Sequence, residues 1–477
     1  MHIMLHPSGS CTTRCGYCFG PNTGPIMDDA TFSAALDWME SLVQPMQSLE
    51  VTLHGGEPLL AGITWHRHAL ARMRARFGPR LRLAVQSNLW LLDDAFCDLF
   101  TEFDVTVGTS LDGPESINNA QRGTGYYAKT MRGIEAARRH DIDIGIICTF
   151  TPLSAARWRD VFDFFLRERL SFSVHGAIPT MGLCAPQPFA LTADAYAKLV
   201  VEMFDYYLQH IRHIRVSTFD QFARGLTGSC AVCTFGPCLG HYLSISSDGS
   251  IYPCNRFVPH RAWQLGTVSD RPSVQDLSHS LSWQRLQDRE KQIEQDCGDC
   301  AYITRCNGGC AYHALAVGTG LRDGYCQAYQ RIFAYVMDKA LAQIFSQENL
   351  AAVVNEGVSD RRGLLRNGEL LQVMRGGPHP SSITAAAQEF DLGTGPPQGD
   401  HETRTRSVAT VRMAPAAKSP AWRAKASPMS AIRALAGTSG SRTMPQCASP
   451  ARKTSAPKSE SMVIKTRSSR LAHSNRA

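Results

Sequence analysis

The sequence has no apolar run long enough to cross a bilayer as a helix. Its first ten residues, MHIMLHPSGS, lack the basic start and apolar stretch of an export signal. Both gaps point to the cytoplasm, where thiols stay reduced and a disulfide framework is not expected. Acidic residues become scarce toward the end. Residues 361–477 hold 19 Lys and Arg against 6 Asp and Glu, whereas 1–360 hold 30 against 36. The net charge of +7 is therefore a property of the tail, so it is not the footprint of a nucleic-acid-binding surface. Neither a nucleic acid nor a membrane is expected as partner.

What the chain does have is cysteine. Sixteen occur in 477 residues, and in a reducing compartment clustered cysteines read first as metal ligands. The length allows two or three domains, and 43% apolar residues suits a globular core.

From residue 2 to about 215, strand-like and helix-like segments alternate. HIMLHP, LEVTLHGG, LRLAVQSN, DVTVGTSLDG, IDIGIICTF and LSFSVHG read as six strands. Between them lie helical patterns, such as DDATFSAALDWMESLV, with Asp28 and Asp29 at its start and Phe32, Leu36, Met39 and Val43 at helical spacing. Another is AKTMRGIEAARRH, with its cations in the last turn. Further helices are expected near 63–77 and over 192–212. Six β-then-α units predict an α/β fold with a parallel sheet, either a partial (β/α)6 TIM-like barrel or an open doubly wound sheet. In both, ligands meet the carboxyl ends of the strands. A cysteine-rich domain is expected over 216–346, with a strand in HYLSISS, a turn at Asp248-Gly249 and a closing helix at 331–346. Residues 347–477, rich in Ala, Ser, Pro, Arg and Gly, are expected to be a disordered tail.

Cys11, Cys15 and Cys18 form CX3CX2C in the loop after the first strand. Thiolates favour iron–sulfur clusters, zinc or copper. A [4Fe–4S] cluster ordinarily takes four cysteines, so three would leave one iron open to another ligand. A zinc site with a distant fourth ligand is the competing reading.

CTTRCGYCFG resembles the radical S-adenosylmethionine (SAM) signature, with Tyr17 as the aromatic before the third cysteine. HGGEP at 54–58 resembles that superfamily's second motif, and SLDGP at 110–114 a segment of its peptide- and protein-modifying branch. The resemblance implies that SAM chelates the open iron through its amine and carboxylate, and that reductive cleavage gives a 5′-deoxyadenosyl radical. It further implies contacts to SAM. Gly55 and Gly56 would let the backbone approach the cofactor, and carbonyls there or Glu57 would accept from the amine. Ser110 and Arg122 would hold the carboxylate, and Asn88 would reach the ribose.

Downstream, Cys238, Cys254, Cys297, Cys300, Cys306, Cys310 and Cys326 form a seven-cysteine pattern. It is similar to the SPASM extension of radical SAM enzymes, which implies two auxiliary [4Fe–4S] clusters. By that resemblance Cys233, Cys238, Cys254 and Cys310 hold the first, with Cys230 as the alternative to Cys233. Cys297, Cys300, Cys306 and Cys326 hold the second. A zinc ribbon is the competing reading, since CX2C is also a zinc signature. Cys97, Cys148, Cys184 and Cys447 share no such pattern, and Cys148 reads as a small apolar core residue.

The resemblance extends over residues 1 to about 345 and implies a maturase acting on a peptide or protein, fed by an external flavodoxin- or ferredoxin-type electron donor. Anaerobic sulfatase-maturating enzymes are similar, but an Asp base in that family falls here on Asn255, whose amide cannot take a proton at neutral pH. His241, Tyr242 or His175 are substitute candidates. Maturation of a ribosomal peptide by crosslinking, desaturation or epimerisation is therefore the primary expectation, with no preceding peptide-recognition domain. Formylglycine formation, small-molecule radical SAM chemistry, and a non-catalytic iron–sulfur electron-transfer or zinc-ribbon protein are the alternatives.

Overall fold

The computed structural model describes residues 1–20, 22–44, 46–183, 187–227 and 232–344. Cys184, Cys230, Cys447 and the tail from 345 lie outside the described residues.

Six strands run parallel in chain order: β1 (His2–Ser8), β2 (Leu49–Gly55), β3 (Leu81–Gln86), β4 (Val105–Ser110), β5 (Ile144–Phe150) and β6 (Phe172–Gly176). Each carries alternate buried residues, such as Ile3 and Leu5 or Val51 and Leu53, all fully buried. Helices packed outside the sheet cover these side chains, so the strands need apolar residues at those positions. Helix Asp29–Leu42 begins where expected, with the Asp28 carboxylate accepting from Thr31 N. Its face of Phe32, Leu36 and Met39 is buried. The helix expected over 192–212 spans Ala193–His210. Cys148 on β5 and Cys97 on helix Asp94–Glu102 are both fully buried core thiols.

The sheet does not stop at β1. Strand β7 (Tyr242–Ile245) pairs parallel to the outer side of β1, and β8 (Ser250–Tyr252) and β9 (Gly266–Thr267) follow antiparallel. The order is β6-β5-β4-β3-β2-β1-β7-β8-β9. The cysteine-rich stretch is thus continuous with the first half through one hydrogen-bonded ladder across the boundary expected at 215/216.

A second join lies at the other end. The closing helix spans Cys326–Ile344, starting five residues before the expected position. It packs on helix Ala193–His210, where Tyr325 and Tyr196 stack at 4.4 Å and Arg331 meets Asp194 at 2.9 Å. The early start places Cys326 at a helix N-terminus, beside Asp323, whose carbonyl accepts from Cys326 N at 2.9 Å and whose carboxylate accepts from Cys310 N and Tyr325 N.

Candidate functional site

The loop after β1 carries Cys11, Cys15 and Cys18 and is held from two sides. At β2, Gly56 N donates to Ser8 O at 3.1 Å and Glu57 N to Ser10 O at 2.8 Å. A Cβ on Gly55 would lie 2.3 Å from Ser8 O, and one on Gly56 would lie 2.3 Å from Ser10 O. Gly55 also has φ 112°. These glycines make room first for the cysteine loop, where the sequence had suggested room for a cofactor. On the other side, Gly16 N donates to Gln121 O at 2.8 Å and Thr13 Oγ1 to Arg122 O at 3.0 Å.

Around that loop stands a buried hub that the sequence quotation SLDGP contained without revealing. Asp112, fully buried, accepts from Tyr17 Oη (2.6 Å), Gln121 Nε2 (2.7 Å), Arg122 Nη2 (2.8 Å), Arg122 Nε (2.9 Å) and Thr149 N (2.9 Å). The Arg122 fork, expected to take a SAM carboxylate, is therefore filled by Asp112. Its remaining Nη1 points at Cys15 Sγ, 3.9 Å away. Asn88 likewise faces the loop: Nδ2 donates to Thr12 Oγ1 at 2.9 Å and lies 4.0 Å from Cys11 Sγ. Two thiols thus each have a side-chain N–H directed at them, a donor that favours the thiolate.

Glu57 also differs from expectation. Its carboxylate, 1% exposed, accepts from Ser87 Oγ (2.7 Å), Asn88 N (2.8 Å) and Leu59 N (3.1 Å). Burial nevertheless pushes its pKa up to about 7, the three donors opposing. Glu57 is committed to fixing the loop after β3 that carries Asn88, rather than free to receive an ammonium. Ser110 Oγ, at the end of β4, accepts from Gln86 Nε2 at 3.3 Å.

Tyr17, Gly55, Gly56, Glu57, Asn88, Ser110 and Arg122 border one cavity of about 750 Å³, which also touches Cys11, Cys15 and Cys18. Its far wall is the cysteine-rich region, with Cys233, Cys238, Cys254 and Cys310. Burial pushes all four thiols up, neighbouring thiols add to the rise at Cys238, Cys254 and Cys310, and Cys254 is pushed up to about 12. Thiols crowded away from water resist ionising together unless a positive centre joins them, so the donor set and its setting fit a metal cluster. Cys297, Cys300, Cys306 and Cys326 border a separate, mostly apolar cavity of about 70 Å³. Gln330 Nε2 reaches Cys300 Sγ at 3.7 Å there. The turn between Cys306 and Cys310 is left-handed at Asn307, Gly308 and Gly309, and a Cβ on Gly309 would lie 2.4 Å from Asp323 Cβ. That close turn sends Cys306 to the small cavity and Cys310 to the large one.

His175 and Tyr242 border the large cavity. His241 is exposed and is not among the residues that line it. His54, Asn255 and His6 meet there too: Asn255 Nδ2 is 3.3 Å from His54 Nε2, and its amide hydrogen-bonds His6. Burial holds His54 down to about 4 and His6 to about 3, so both rings are neutral near pH 7. Among the described residues no helix is long and apolar enough to cross a membrane.

Residues 5–165 match the model of the radical SAM superfamily, and 223–301 match that of the SPASM iron–sulfur cluster-binding domain. An uncharacterised protein of Methanothermobacter thermautotrophicus is 38% identical over 226 residues, 47% of this chain and 85% of that protein. A serine-type anaerobic sulfatase-maturating enzyme of Klebsiella aerogenes is 26% identical, over 70% of this chain and 85% of that enzyme. Among solved structures, native anSMEcpe with bound AdoMet superposes with a TM-score of 0.63 at 23% identity, over 71% of this chain and 97% of that one. Streptococcus suis SuiB bound to its precursor peptide SuiA superposes with a TM-score of 0.52 at 16% identity, over 68% of this chain and 75% of that one. At these identities the superpositions speak to the fold.

Proposed function

The chain belongs to the radical SAM superfamily and carries a SPASM domain, and from that premise we propose that it oxidatively modifies a ribosomally made peptide. Its cofactors are [4Fe–4S] clusters and SAM. In this reading Cys11, Cys15 and Cys18 hold the SAM-binding cluster. Cys233, Cys238, Cys254 and Cys310 hold one auxiliary cluster, and Cys297, Cys300, Cys306 and Cys326 the other. When loaded, this set supplies one-electron chemistry: reductive cleavage of SAM gives a carbon radical that takes a hydrogen atom from the substrate, and an auxiliary cluster can accept the electron left behind.

The observation that carries the reading is the shared cavity. One chamber has the first three thiols on one wall and four auxiliary thiols on the other, so a substrate between them is within reach of both. Its volume lies in the range of about 300–1,000 Å³ found for small-molecule sites. The chain's own groups prepare this chamber. Asp112 fixes Tyr17 and Arg122, and Arg122 and Asn88 direct N–H groups at Cys15 and Cys11. Gly55 and Gly56 seat the loop against β2. With the Arg122 fork occupied, the SAM carboxylate would rest on Ser110 and backbone N–H groups, and its amine on backbone carbonyls near Gly55. SuiB bound to a precursor peptide supports a peptide as the occupant. A low-potential flavodoxin- or ferredoxin-type donor would supply the electron.

The sulfatase-maturating relatives favour a second reading, formylglycine formation. Asn255 opposes it, because the amide is lodged against two neutral imidazoles and cannot act as base. Anaerobic reconstitution with SAM, a reductant and the peptide encoded beside the gene separates the readings. Loss of two hydrogens without a hydrazide-reactive aldehyde supports crosslinking or desaturation. Unchanged mass with solvent deuterium uptake supports epimerisation. A hydrazide-reactive aldehyde would move the assignment to formylglycine formation.

A further inference from the structure

Arg256 follows Cys254 and Asn255 in the turn after β8 and borders the large cavity. Its guanidinium lies 5.5 Å from the ring of Phe19 and 5.9 Å from that of Tyr312. Phe19 follows Cys18 in the first cysteine loop, and Tyr312 lies two residues past Cys310, so this cation stands between the two walls. Among the described residues it makes no ion pair and donates no hydrogen bond. A half-buried guanidinium normally has an acceptor for its five N–H donors.

The carboxylates bordering the cavity are already engaged. Glu57 takes three donors, and Asp248 takes Ser246 Oγ and Ser250 N. The adjacent side chain, Asn255, is an amide and carries no charge. The neighbouring imidazoles of His54 and His175, each held down to about 4, supply no negative charge. The auxiliary thiolates are the other anions nearby. Arg122 shows how an arginine serves a thiol in this protein, with one N–H directed at Cys15 Sγ. The Arg256 guanidinium donates no hydrogen bond to Cys233, Cys254 or Cys310, although its backbone N–H serves Cys254 and its charge favours ionisation of all three thiols.

We propose that Arg256 is the anchor for a carboxylate of the peptide substrate, making this enzyme selective for a peptide that presents an acidic group between the two cysteine walls. The inference rests on the peptide-maturase reading and adds the substrate class. An Asp or Glu side chain and a free C-terminus share the required chemistry. A planar guanidinium held by two aromatic faces presents its edge to either as a bidentate donor.

The test uses the anaerobically reconstituted full chain with SAM and randomised short-peptide pools. One position is fixed as Asp, Glu, Asn or Gln, with the C-terminus free or amidated, and peptides retained by the enzyme are counted. Wild type is expected to enrich an acidic pool at least tenfold over its amide counterpart. The side-chain and C-terminal arms identify which carboxylate is taken. Arg256→Gln should reduce that preference to about one, and Arg256→Lys should keep part of it. Equal retention of acid and amide pools by wild type would overturn the proposal, as would a preference that survives Arg256→Gln. A loss in Arg256→Gln confined to SAM affinity, or to auxiliary-cluster iron and absorption, would also overturn it, assigning the cation to SAM or to the cluster. 5′-Deoxyadenosine release by wild type, measured in the same preparations, reports separately on the maturase reading.

Discussion

The two cysteine-lined cavities differ in kind. The first trio opens on about 750 Å³, and two of its thiols face side-chain N–H groups. The Cys297–Cys326 set encloses about 70 Å³ with mostly apolar walls. Three thiols with space beside them suit a cluster that must accept another ligand. Four thiols around a small apolar cavity suit a cluster completed by protein, shielded and confined to electron transfer. The difference lies in what surrounds the thiols, which spacing alone does not convey.

Replacing Cys11, Cys15 and Cys18 by Ala breaks the comparison most severely. SAM cleavage should fall to background while auxiliary iron–sulfur absorption persists, as measured by 5′-deoxyadenosine release and iron content. Next, Asp112→Ala leaves Arg122 buried without its carboxylate. A broken buried pair costs about 3–5 kcal/mol, so the thermal midpoint should drop steeply. Asp112→Asn should drop it less, because an amide still accepts hydrogen bonds.

Cys300→Ala or Cys326→Ala should act on the other side of the comparison. Most SAM cleavage should remain while modified peptide is lost, a split read by measuring both products in one reaction. The smallest effect is on pH dependence. His6 and His54 border the large cavity with folded values of about 3 and about 4, below the usual 6.5. Burial is the leading cause for both. The unfolded chain therefore binds protons that the folded chain refuses, and stability falls as pH drops from about 6.5 toward 3. His6→Asn or His54→Gln should flatten that limb by up to one proton each in denaturant titrations across pH. Cys300→Ala should leave the slope unchanged.

The strands were legible because each buries alternate residues beneath helices, and all six fall within two residues of their expected bounds at both ends, apart from the carboxyl end of β4, which stops three residues early at Ser110. There Leu111 and Asp112 continue the apolar-polar alternation in sequence, but the backbone turns to place Asp112 in the site. The pairing of β7 with β1 was not legible, since a four-residue strand in a cysteine-rich stretch does not announce its partner. Cysteine spacing marked the candidate ligands. It did not show that the Arg122 fork belongs to Asp112, or that Glu57 serves the Asn88 loop. Both depend on contacts between groups from different turns of the chain. Asp112 had a signal in SLDGP, but nothing local says that an aspartate will collect five donors.

The account stands most directly on SAM-dependent release of 5′-deoxyadenosine by the anaerobically reconstituted chain under a strong reductant. It predicts release by wild type and none by the variant lacking Cys11, Cys15 and Cys18. Equal release by both, or none from a wild type with its clusters demonstrably assembled, would contradict it.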